Sequence, residues 1–505
     1  MTSDLKPTQS LPAHVDVLII GAGISGIGAA VHLRKHCPGT SFLIAERRPE
    51  IGGTWDLFRY PGVRSDSDMY TLGFSFKPWT RRKAIAGADD IMAYLRETVD
   101  QYGIRRDIRH GMSIAAASWS SETALWTVTG TIGSDKTLFS ITCRMLFSCT
   151  GYYDYDEGYT PDFPGRERYQ GLFIHPQQWP EDLDYRGDHI VVIGSGATAV
   201  TLIPSLAAGG AEKVTMLQRT PTYIASQPSS DKIALGLQSF LPAKWAYTIT
   251  RYKNILYQMF VYHISRTRPD GLRKRLIDMV KDELPEGFDV AKHFTPPYNP
   301  WDERLCAVTD GDMFRTIREG RADVVTDRIK TFTEDGVLLE SGQELKADII
   351  VSATGLKIKV LSGMVLTVDG KPINPGDRLL YKGIMFNDVP NFAMWFGYTN
   401  AGWTLKADLT SEYMCRLIKY MDANELKIAT PEIGEDPVEA QPMVNFSSGY
   451  IQRSADLMPK SGTRAPWKLH QNFFKDARVL RHGPLDDEMV FANPAPASAK
   501  FDQAA

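Results

Sequence analysis

The sequence predicts an α/β fold built from two Rossmann-like dinucleotide-binding domains, with a helical insertion in the second. The main observation is a repeated pattern in which an apolar strand runs into a glycine-rich loop and a helix. It occurs near residues 15–35 and again near residues 189–208. The length of 505 residues also exceeds what one hydrophobic core normally supports, so two or three domains are expected.

The composition excludes several classes of protein. The formal net charge of −3 argues against a general nucleic-acid binder, which would be basic. Five scattered cysteines without a CxxC pair predict no disulfide framework and no metal site, and they fit a reducing cytoplasm. The uncharged run from Val17 to Val31 lacks a preceding basic segment and is too short to cross a membrane, so it predicts a strand turning into a helix.

The first glycine-rich motif is GxGxxG, formed by Gly21, Gly23 and Gly26 with Ser25 inside it. These glycines allow a tight turn, approach of the backbone to a pyrophosphate, and close packing of helix on strand. The next apolar run ends at Glu46, about 20 residues further on, where a carboxylate binds a ribose hydroxyl and repels a 2′-phosphate. The motif therefore predicts a site for FAD or NAD rather than NADP.

The second motif is GxGxxA, and its residues are Gly194, Ser195, Gly196, Ala197, Thr198 and Ala199. The strand that follows ends near Arg219 and Thr220, in the region that Glu46 occupies in the first motif. A guanidinium offers two parallel N–H donors to a phosphate, so this site is predicted to select NADPH over NADH. Two sites of opposite charge imply two cofactors, a resident flavin and a nicotinamide donor.

The stretch from about Asp231 to Leu284 differs from the rest of the chain. Its apolar residues recur at helical spacing, and they are Trp245, Ile249, Tyr252, Leu256, Met259 and Phe260. Basic residues such as Arg251 and Lys253 lie among them. Two interpretations are open: a helical insertion with a solvated face, or a face that contacts a membrane surface.

Three further segments resemble the class B flavoprotein monooxygenases of the Baeyer–Villiger type. The segment from Tyr169 to Trp179 resembles the fingerprint FxGxxxHxxxW, with Tyr169 in place of the phenylalanine. The segment from Gly52 to Asp66 resembles GGxW…[FY]PG…D, and Asp348 to Gly355 resembles the ATG segment that closes the FAD site of that family. Within the family, the resemblance is strongest to the ethionamide-activating subgroup.

This resemblance implies an enzyme that uses FAD, NADPH and dioxygen to convert ketones to esters or lactones through a C4a-peroxyflavin. Sulfides and thioamides are implied as further substrates. Arg304 is implied as the catalytic cation and Asp66 as the carboxylate that orients it, whereas His175 is expected to couple the domains rather than to transfer protons. Many family members carry a lysine at the position of Glu303, so the NADPH preference is expected to depend more on Arg219.

The resemblance also extends the sets of binding residues. For FAD it adds Thr54, Trp55, Asp66, Thr354 and Gly355, and for NADPH it adds Arg64 and Ser65. Candidates to line the substrate pocket are Tyr398, Thr399, Asn400, Gly402 and Trp403, although Trp403 could equally face the core.

The predicted FAD-binding domain is discontinuous, comprising residues 1–150 and 345–505. The predicted NADPH-binding domain is 151–344, with the insertion at about 225–295. Three alternatives stay open: an N- or S-oxygenating flavin monooxygenase, a flavin reductase of the disulfide type, and a nucleotide-binding module without catalysis. Trp179 and Arg304 argue against the first, and the absence of CxxC argues against the second. The sequence leaves the oligomeric state open.

Overall fold

The computed structural model describes residues 11–303, 305–443 and 449–495. Its strands, in chain order, are β1 His14–Ile20, β2 Phe42–Ala45, β3 Ile108–Arg109, β4 Met112–Ser120, β5 Leu125–Ile132, β6 Thr137–Ser148, β7 Tyr153–Gly158, β8 Leu172–Ile174, β9 His189–Ile193, β10 Lys213–Gln218, β11 Ile224–Gln227, β12 Cys306–Thr309, β13 Ala322–Thr326, β14 Ile329–Phe332, β15 Gly336–Leu339, β16 Glu344–Lys346, β17 Ile349–Ser352, β18 Leu356–Ile358, β19 Val365–Val368, β20 Lys371–Ile373, β21 Leu380–Tyr381, β22 Met385–Phe386, β23 Phe392–Met394, β24 Ile428–Pro431, β25 Ala440–Pro442, β26 Lys460–Gly462 and β27 Met489–Ala492.

The α-helices, in chain order, are α1 Ile24–His36, α2 Thr54–Leu57, α3 Met69–Leu72, α4 Ala88–Gln101, α5 Ala197–Ala208, α6 Lys232–Phe240, α7 Ala243–Thr267, α8 Pro269–Glu283, α9 Val290–His293, α10 Asp312–Arg318, α11 Trp403–Ala423, α12 Gly449–Gln452 and α13 Phe473–His482. None of the helices in the described ranges combines the length and the hydropathy needed to span a bilayer.

The first sheet has the strand order β20-β19-β4-β5-β6-β1-β2-β3, and β23 also pairs with β6. In it β1 runs parallel to β2 and β6, whereas β4, β5 and β6 form an antiparallel meander. Alternate side chains of β1 enter different cores: Val17 and Ile19 pack with α1 and α11, and Leu18 with the meander. Because β1 is a central parallel strand that is covered on both faces, its sequence can be apolar without interruption.

The second sheet has the order β13-β10-β9-β17-β8, with every pairing parallel. Here Ile190 and Val192 of β9 pack with α5 and α10, whereas Val191 and Ile193 pack against the small antiparallel sheet β14-β15-β16. Each sheet thus carries one strand–glycine-loop–helix unit, β1 to α1 and β9 to α5. This confirms the predicted α/β fold with two Rossmann-like units.

The two passages of the chain between the sheets run side by side. Strand β7 follows the first sheet and pairs antiparallel with β18, which follows the second sheet. The predicted boundary at 344/345 is wrong in position, because β17 pairs with β8 and β9 and so belongs to the second sheet. A buried apolar strand such as Ile349–Ser352 fits among the parallel strands of either sheet, so its own residues could not assign it to one of them.

His175 packs against this two-stranded connection. Its Nδ1 accepts from the Gln177 N–H at 3.2 Å, so its Nε2 carries the proton and donates to the Gly355 carbonyl at 3.0 Å. A Cβ on Gly158 would lie only 1.9 Å from the imidazole, so a larger residue there would displace the ring. Burial lowers the pKa of His175, which keeps the ring neutral. The side chain therefore joins the β8 end to the β18 connection.

The insertion consists of helices α6 to α9, between β11 and β12, which pair parallel with each other. The predicted range of about 225–295 thus included part of β11, while the predicted helical spacing is confirmed by α7. The helix faces the body of the protein with Ala246, Tyr247, Thr250, Arg251 and Ile255. The apolar residues that suggested the helix lie mostly on its outer side.

Candidate active site

The first glycine loop joins β1 to α1. Gly21 has φ +100°, and a Cβ there would lie 2.7 Å from the carbonyl oxygen of Cys149. A Cβ on Gly26 would lie 1.9 Å from the Gly21 oxygen, so glycine is needed to bring helix and strand together. No side chain caps the first turn of α1, and no acidic residue lies in it. The N–H groups at this helix start can therefore receive a pyrophosphate.

Glu46 lies beside this loop, directly after β2. Its carboxylate is buried and accepts from the Ala22 N–H at 2.7 Å and from the Arg48 N–H at 2.8 Å. These bonds fix the carboxylate at the glycine loop, where the sequence predicted a ribose-binding group. The arrangement fits a dinucleotide without a 2′-phosphate.

The second glycine loop joins β9 to α5. Gly194 has φ +133°, and a Cβ there would lie 2.4 Å from the Ala353 oxygen, whereas a Cβ on Gly196 would meet open space. The Ser195 hydroxyl donates to the Thr220 carbonyl at 3.1 Å and lies 2.8 Å from the Thr222 hydroxyl. The start of α5 has no side-chain cap either, so this loop fits a second dinucleotide.

The two loops differ by one residue in the position of their charged group. The Gly21 N–H donates to the Ala45 carbonyl and the Gly194 N–H to the Leu217 carbonyl, both at 2.8 Å. The residue at the position of Glu46 is therefore Gln218, and exposed Arg219 lies one residue further along the chain. The buried Gln218 amide donates to the His293 carbonyl at 2.7 Å and to Thr326 Oγ1 at 2.8 Å. The predicted equivalence of Arg219 with Glu46 is thus shifted by one residue.

One cavity lies between the two helix starts and, with its open mouth, encloses about 1610 Å³. Among the predicted site residues it is lined by Gly23, Ser25, Thr54, Trp55, Arg64, Ser65, Asp66, Ala197 and Thr198. It thus brings the first glycine loop, the segment 52–66 and the start of α5 around one space. The remaining glycine-loop residues, with Glu46, Arg219 and Thr220, lie in or beside the two loops rather than on the cavity wall.

Thr354 and Gly355, predicted for the FAD site, follow β17 of the second sheet. The Thr354 hydroxyl donates to the Tyr159 carbonyl at 2.7 Å, and the Gly355 carbonyl accepts from the Tyr159 N–H at 3.2 Å. At the first sheet the corresponding place, next to Gly21, is occupied by Cys149. Both residues therefore belong to the connection between the sheets, next to Leu356 of the cavity wall, and their role in binding FAD stays a prediction.

Asp66 is half-buried and lines the cavity. Its neighbour Arg64 forms an ion pair with Asp312 of α10 at 2.5 Å, and both side chains are mostly buried. This ion pair joins the cavity segment to the second Rossmann-like unit. Arg304, the predicted catalytic cation, lies outside the described residues, so its pairing with Asp66 stays a prediction.

Aromatic side chains form much of the cavity wall: Tyr60 belongs to the [FY]PG motif, whereas Tyr152 and Phe396 were not singled out by any motif. The indole of Trp403 donates from Nε1 to Ser25 Oγ at 2.8 Å and stacks on Tyr152 with ring centroids 5.7 Å apart. Burial raises the pKa of Tyr60 to about 12, so its hydroxyl stays protonated and remains a hydrogen-bond donor. In the sequence, Tyr152 and Phe396 were marked only by the aromatic residues clustered around them near the motifs.

The predicted substrate-pocket segment is divided between cavity and core. Tyr398, Thr399 and Trp403 line the cavity, and the Tyr398 hydroxyl donates to Asp476 at 2.7 Å. Asn400 is buried and donates to the Gln471 carbonyl at 3.0 Å, so its side chain is turned towards the C-terminal region. Gly402 is buried against the backbone of Thr71.

Comparisons with known proteins agree with this arrangement. A family model described as flavin-binding monooxygenase-like matches residues 84–385, and an NAD(P)-binding Rossmann-like domain model matches residues 19–82. The FAD-containing monooxygenase EthA of Mycobacterium tuberculosis is 53% identical over 485 residues, covering 96% of this chain and 99% of that protein. The probable FAD-binding monooxygenase AlmA of Acinetobacter baylyi is 49% identical over 478 residues, covering 94% and 96%.

Solved structures share the fold at low sequence identity. An oxidised steroid monooxygenase bound to NADP has a TM-score of 0.75 at 20% identity, covering 95% of this chain and 100% of that one. An open cyclohexanone monooxygenase has a TM-score of 0.73 at 20% identity, with the same coverage. With a family model matched over more than half of its length and relatives about half identical throughout, the chain belongs to the flavin-binding monooxygenase-like family.

Proposed function

We propose that this protein is an FAD- and NADPH-dependent Baeyer–Villiger monooxygenase that converts ketones to esters or lactones and also oxidises sulfides and thioamides. The observation that carries the proposal is the single cavity between two dinucleotide loops, lined by Gly23 of one and by Ala197 and Thr198 near the start of α5. A shared cavity allows a hydride donor and a flavin to meet, which two separate pockets would not.

The residues around the first loop fit FAD. The open start of α1 suits the pyrophosphate, the fixed Glu46 carboxylate suits a ribose hydroxyl, and Thr54 and Trp55 line the adjoining cavity. The start of α5 with Arg64, Ser65 and the exposed Arg219 suits NADPH. The relatives named FAD-containing monooxygenases and the neighbouring structures with FAD and NADP support the same pair.

When bound and reduced, the flavin supplies the activation of dioxygen, while the chain supplies position, charge and exclusion of water. Tyr60, Tyr152, Phe396 and Trp403 give the cavity an aromatic wall that limits access of water. Arg304 is proposed as the permanent cation beside the reacting oxygen, because a guanidinium stays protonated at any working pH. Asp66 is proposed to orient that guanidinium from the cavity wall.

The test is a panel of cyclic and linear ketones, a sulfide and a tertiary amine, incubated with the FAD-loaded enzyme, NADPH and air. Mass spectrometry should find esters or lactones that have gained one oxygen atom, and this atom should carry the label when the gas is ¹⁸O₂. Oxygenation of the amine or the sulfide without any ester from the ketones would reject the Baeyer–Villiger assignment in favour of N- or S-oxygenation.

A further inference from the structure

Helix α7 exposes an apolar stripe along its outer side. The stripe residues follow one another at intervals of three or four positions, as one face of a helix requires. Their side chains are 41–64% exposed, and they are Trp245, Ile249, Tyr252, Leu256 and Phe260. A helix on the surface of a globular protein normally turns such a stripe towards the core. Here the apolar face is the one directed outwards.

The inner face of α7 is held by polar bonds that prevent the helix from turning over. Buried Arg251 donates to the carbonyls of Tyr70 and Gly73 at 2.8 and 2.7 Å. Asn254 and Gln258 donate to the two carboxylate oxygens of Asp68 at 2.9 and 3.0 Å. Turning the stripe inwards would bury apolar side chains but leave a guanidinium and a carboxylate without these partners, which is costly. These buried polar bonds therefore keep the apolar stripe of α7 on the exposed side of the helix.

The patch continues onto α6 and has a distinctive charge. Ile233 and Phe240 of α6 are 58% and 71% exposed. Residues 232–269 contain six lysines and arginines and no aspartate or glutamate, although the whole chain has a net charge of −3. Of these six, Arg251 is buried, and Lys253 and Arg266 form ion pairs with Asp231 and Asp302. Lys232 and Lys244 are exposed beside the apolar side chains. We define this surface, the outer faces of α6 and α7 with these two lysines, as the α6–α7 face.

We propose that the α6–α7 face docks on the surface of an anionic lipid bilayer. Exposed tryptophan, tyrosine and phenylalanine suit the boundary between headgroups and acyl chains, and lysines at the rim suit anionic headgroups. A second copy of this chain fits the face less well. A symmetric dimer through this face would place cations opposite cations, since residues 232–269 supply no carboxylate to pair with them.

The α6–α7 face includes the outer side of α7. The inner side of α7 contacts α3, which forms part of the cavity wall. Arg251 bonds to the backbone of α3 and to Gly73, and Leu72 of α3 lines the cavity. Docking would therefore bring the cavity region close to the lipid, where apolar substrates concentrate. The docking itself does not depend on which substrate is oxidised.

The experiment is co-sedimentation of the full-length, FAD-loaded protein with sucrose-loaded vesicles. One set contains phosphatidylcholine alone, and the other contains equimolar phosphatidylcholine and phosphatidylglycerol. The wild type should sediment with the anionic set and much less with the neutral set. The triple variant Trp245→Ser/Leu256→Ser/Phe260→Ser should lose at least about 10-fold in partition coefficient, because three large apolar side chains no longer enter the interface.

Two further variants make the result specific. Leu138→Ser removes a side chain that is 83% exposed on β6, away from the face, and should bind vesicles like the wild type. Lys232→Gln/Lys244→Gln should weaken binding to the anionic set, and added salt should weaken wild-type binding. Thermal unfolding and NADPH oxidation without vesicles should be the same for all variants, which shows that they are folded.

Three outcomes would overturn the proposal. The wild type could fail to bind the anionic vesicles, or bind both sets equally. The triple variant could bind as well as the wild type. Sedimentation velocity could find a dimer that the triple variant abolishes while the vesicles stay unbound, in which case the face joins two copies of the chain.

Discussion

The two strand–glycine-loop–helix units have the same backbone arrangement, but they differ in the residue that follows the next strand of each unit. In the first unit Glu46 follows Ala45, whose carbonyl accepts from the Gly21 N–H, and the Glu46 carboxylate accepts from the Ala22 N–H. In the second unit the same position carries Gln218, whose side-chain amide donates to the Thr326 hydroxyl and to the His293 carbonyl. The comparison indicates that a charged group able to meet the coenzyme phosphate lies one residue later in the second unit, at exposed Arg219, whose role stays a prediction.

The largest effect is expected for the proposed catalytic cation, Arg304, rather than for a residue of either loop. Arg304→Ala should keep bound FAD and NADPH oxidation but lower ester formation on the order of 10²-fold or more, because a permanent cation beside the reacting oxygen is lost. The measurement is ester by mass spectrometry against NADPH consumed.

Asp66→Ala, at a residue of the cavity wall, serves as the matched comparison. A carboxylate that orients the guanidinium should matter less than the guanidinium itself, so both flavin reduction and ester formation should slow by less than in Arg304→Ala. Full ester yield from Arg304→Ala would remove this residue from the mechanism, and wild-type rates in Asp66→Ala would leave it a structural role only.

The next effect tests the first loop. Gly26→Ala should lower the FAD content or affinity by more than about 10-fold, because a Cβ 1.9 Å from the Gly21 oxygen forces α1 away from β1. Flavin absorbance per chain after gel filtration measures this. The reverse change at the same position of the second loop, Ala199→Gly, should leave FAD content unchanged. Equal flavin loss in both variants would mean that the loops are not specialised.

A smaller effect is expected at Arg219, the position proposed to bind the 2′-phosphate. Arg219→Ala should reduce kcat/KM for NADPH by about 10-fold, since a hydrogen bond to a charged group contributes roughly 1.5 kcal/mol at its lower limit. NADH, which lacks the 2′-phosphate, should be nearly unaffected. Arg47, at the same position of the first unit, forms an ion pair with Asp156 at 2.8 Å, so Arg47→Ala should change neither coenzyme. Equal losses for NADPH and NADH would assign Arg219 to folding instead.

The smallest effect is expected for Glu46→Gln. An amide oxygen can still accept from the Ala22 N–H, so only the charge of the ribose-binding acceptor is lost, about 1 kcal/mol or roughly fivefold in FAD dissociation constant. Fluorescence titration of the deflavinated protein with FAD measures this. A loss greater than that in Gly26→Ala would indicate that the carboxylate, and not the close helix packing, governs flavin binding.

Some residues of the candidate site are predicted by sequence motifs, whereas others are brought together only by the packing of distant segments. The nine motif residues on the cavity wall came from the segment 52–66 and the two glycine loops, each recognisable locally. In the aromatic wall, Trp403 was a pocket candidate and Tyr60 belongs to the [FY]PG motif, but Tyr152 and Phe396 were not predicted because they lie far apart in the sequence and outside the motifs. They meet only when the first sheet, α11 and the connection between the sheets are assembled.

The sequence by itself determined the two strand–loop–helix units, the charge that follows each of them and the helical character of the insertion. These are local properties, fixed by glycine geometry and by the period of apolar residues. The tertiary structure alone decided that β17 joins the second sheet, that Gln218 rather than Arg219 takes the position of Glu46, and that the apolar stripe of α7 faces outwards. Strand partners, exact register and the orientation of a helix depend on contacts between distant segments, so local patterns cannot determine them.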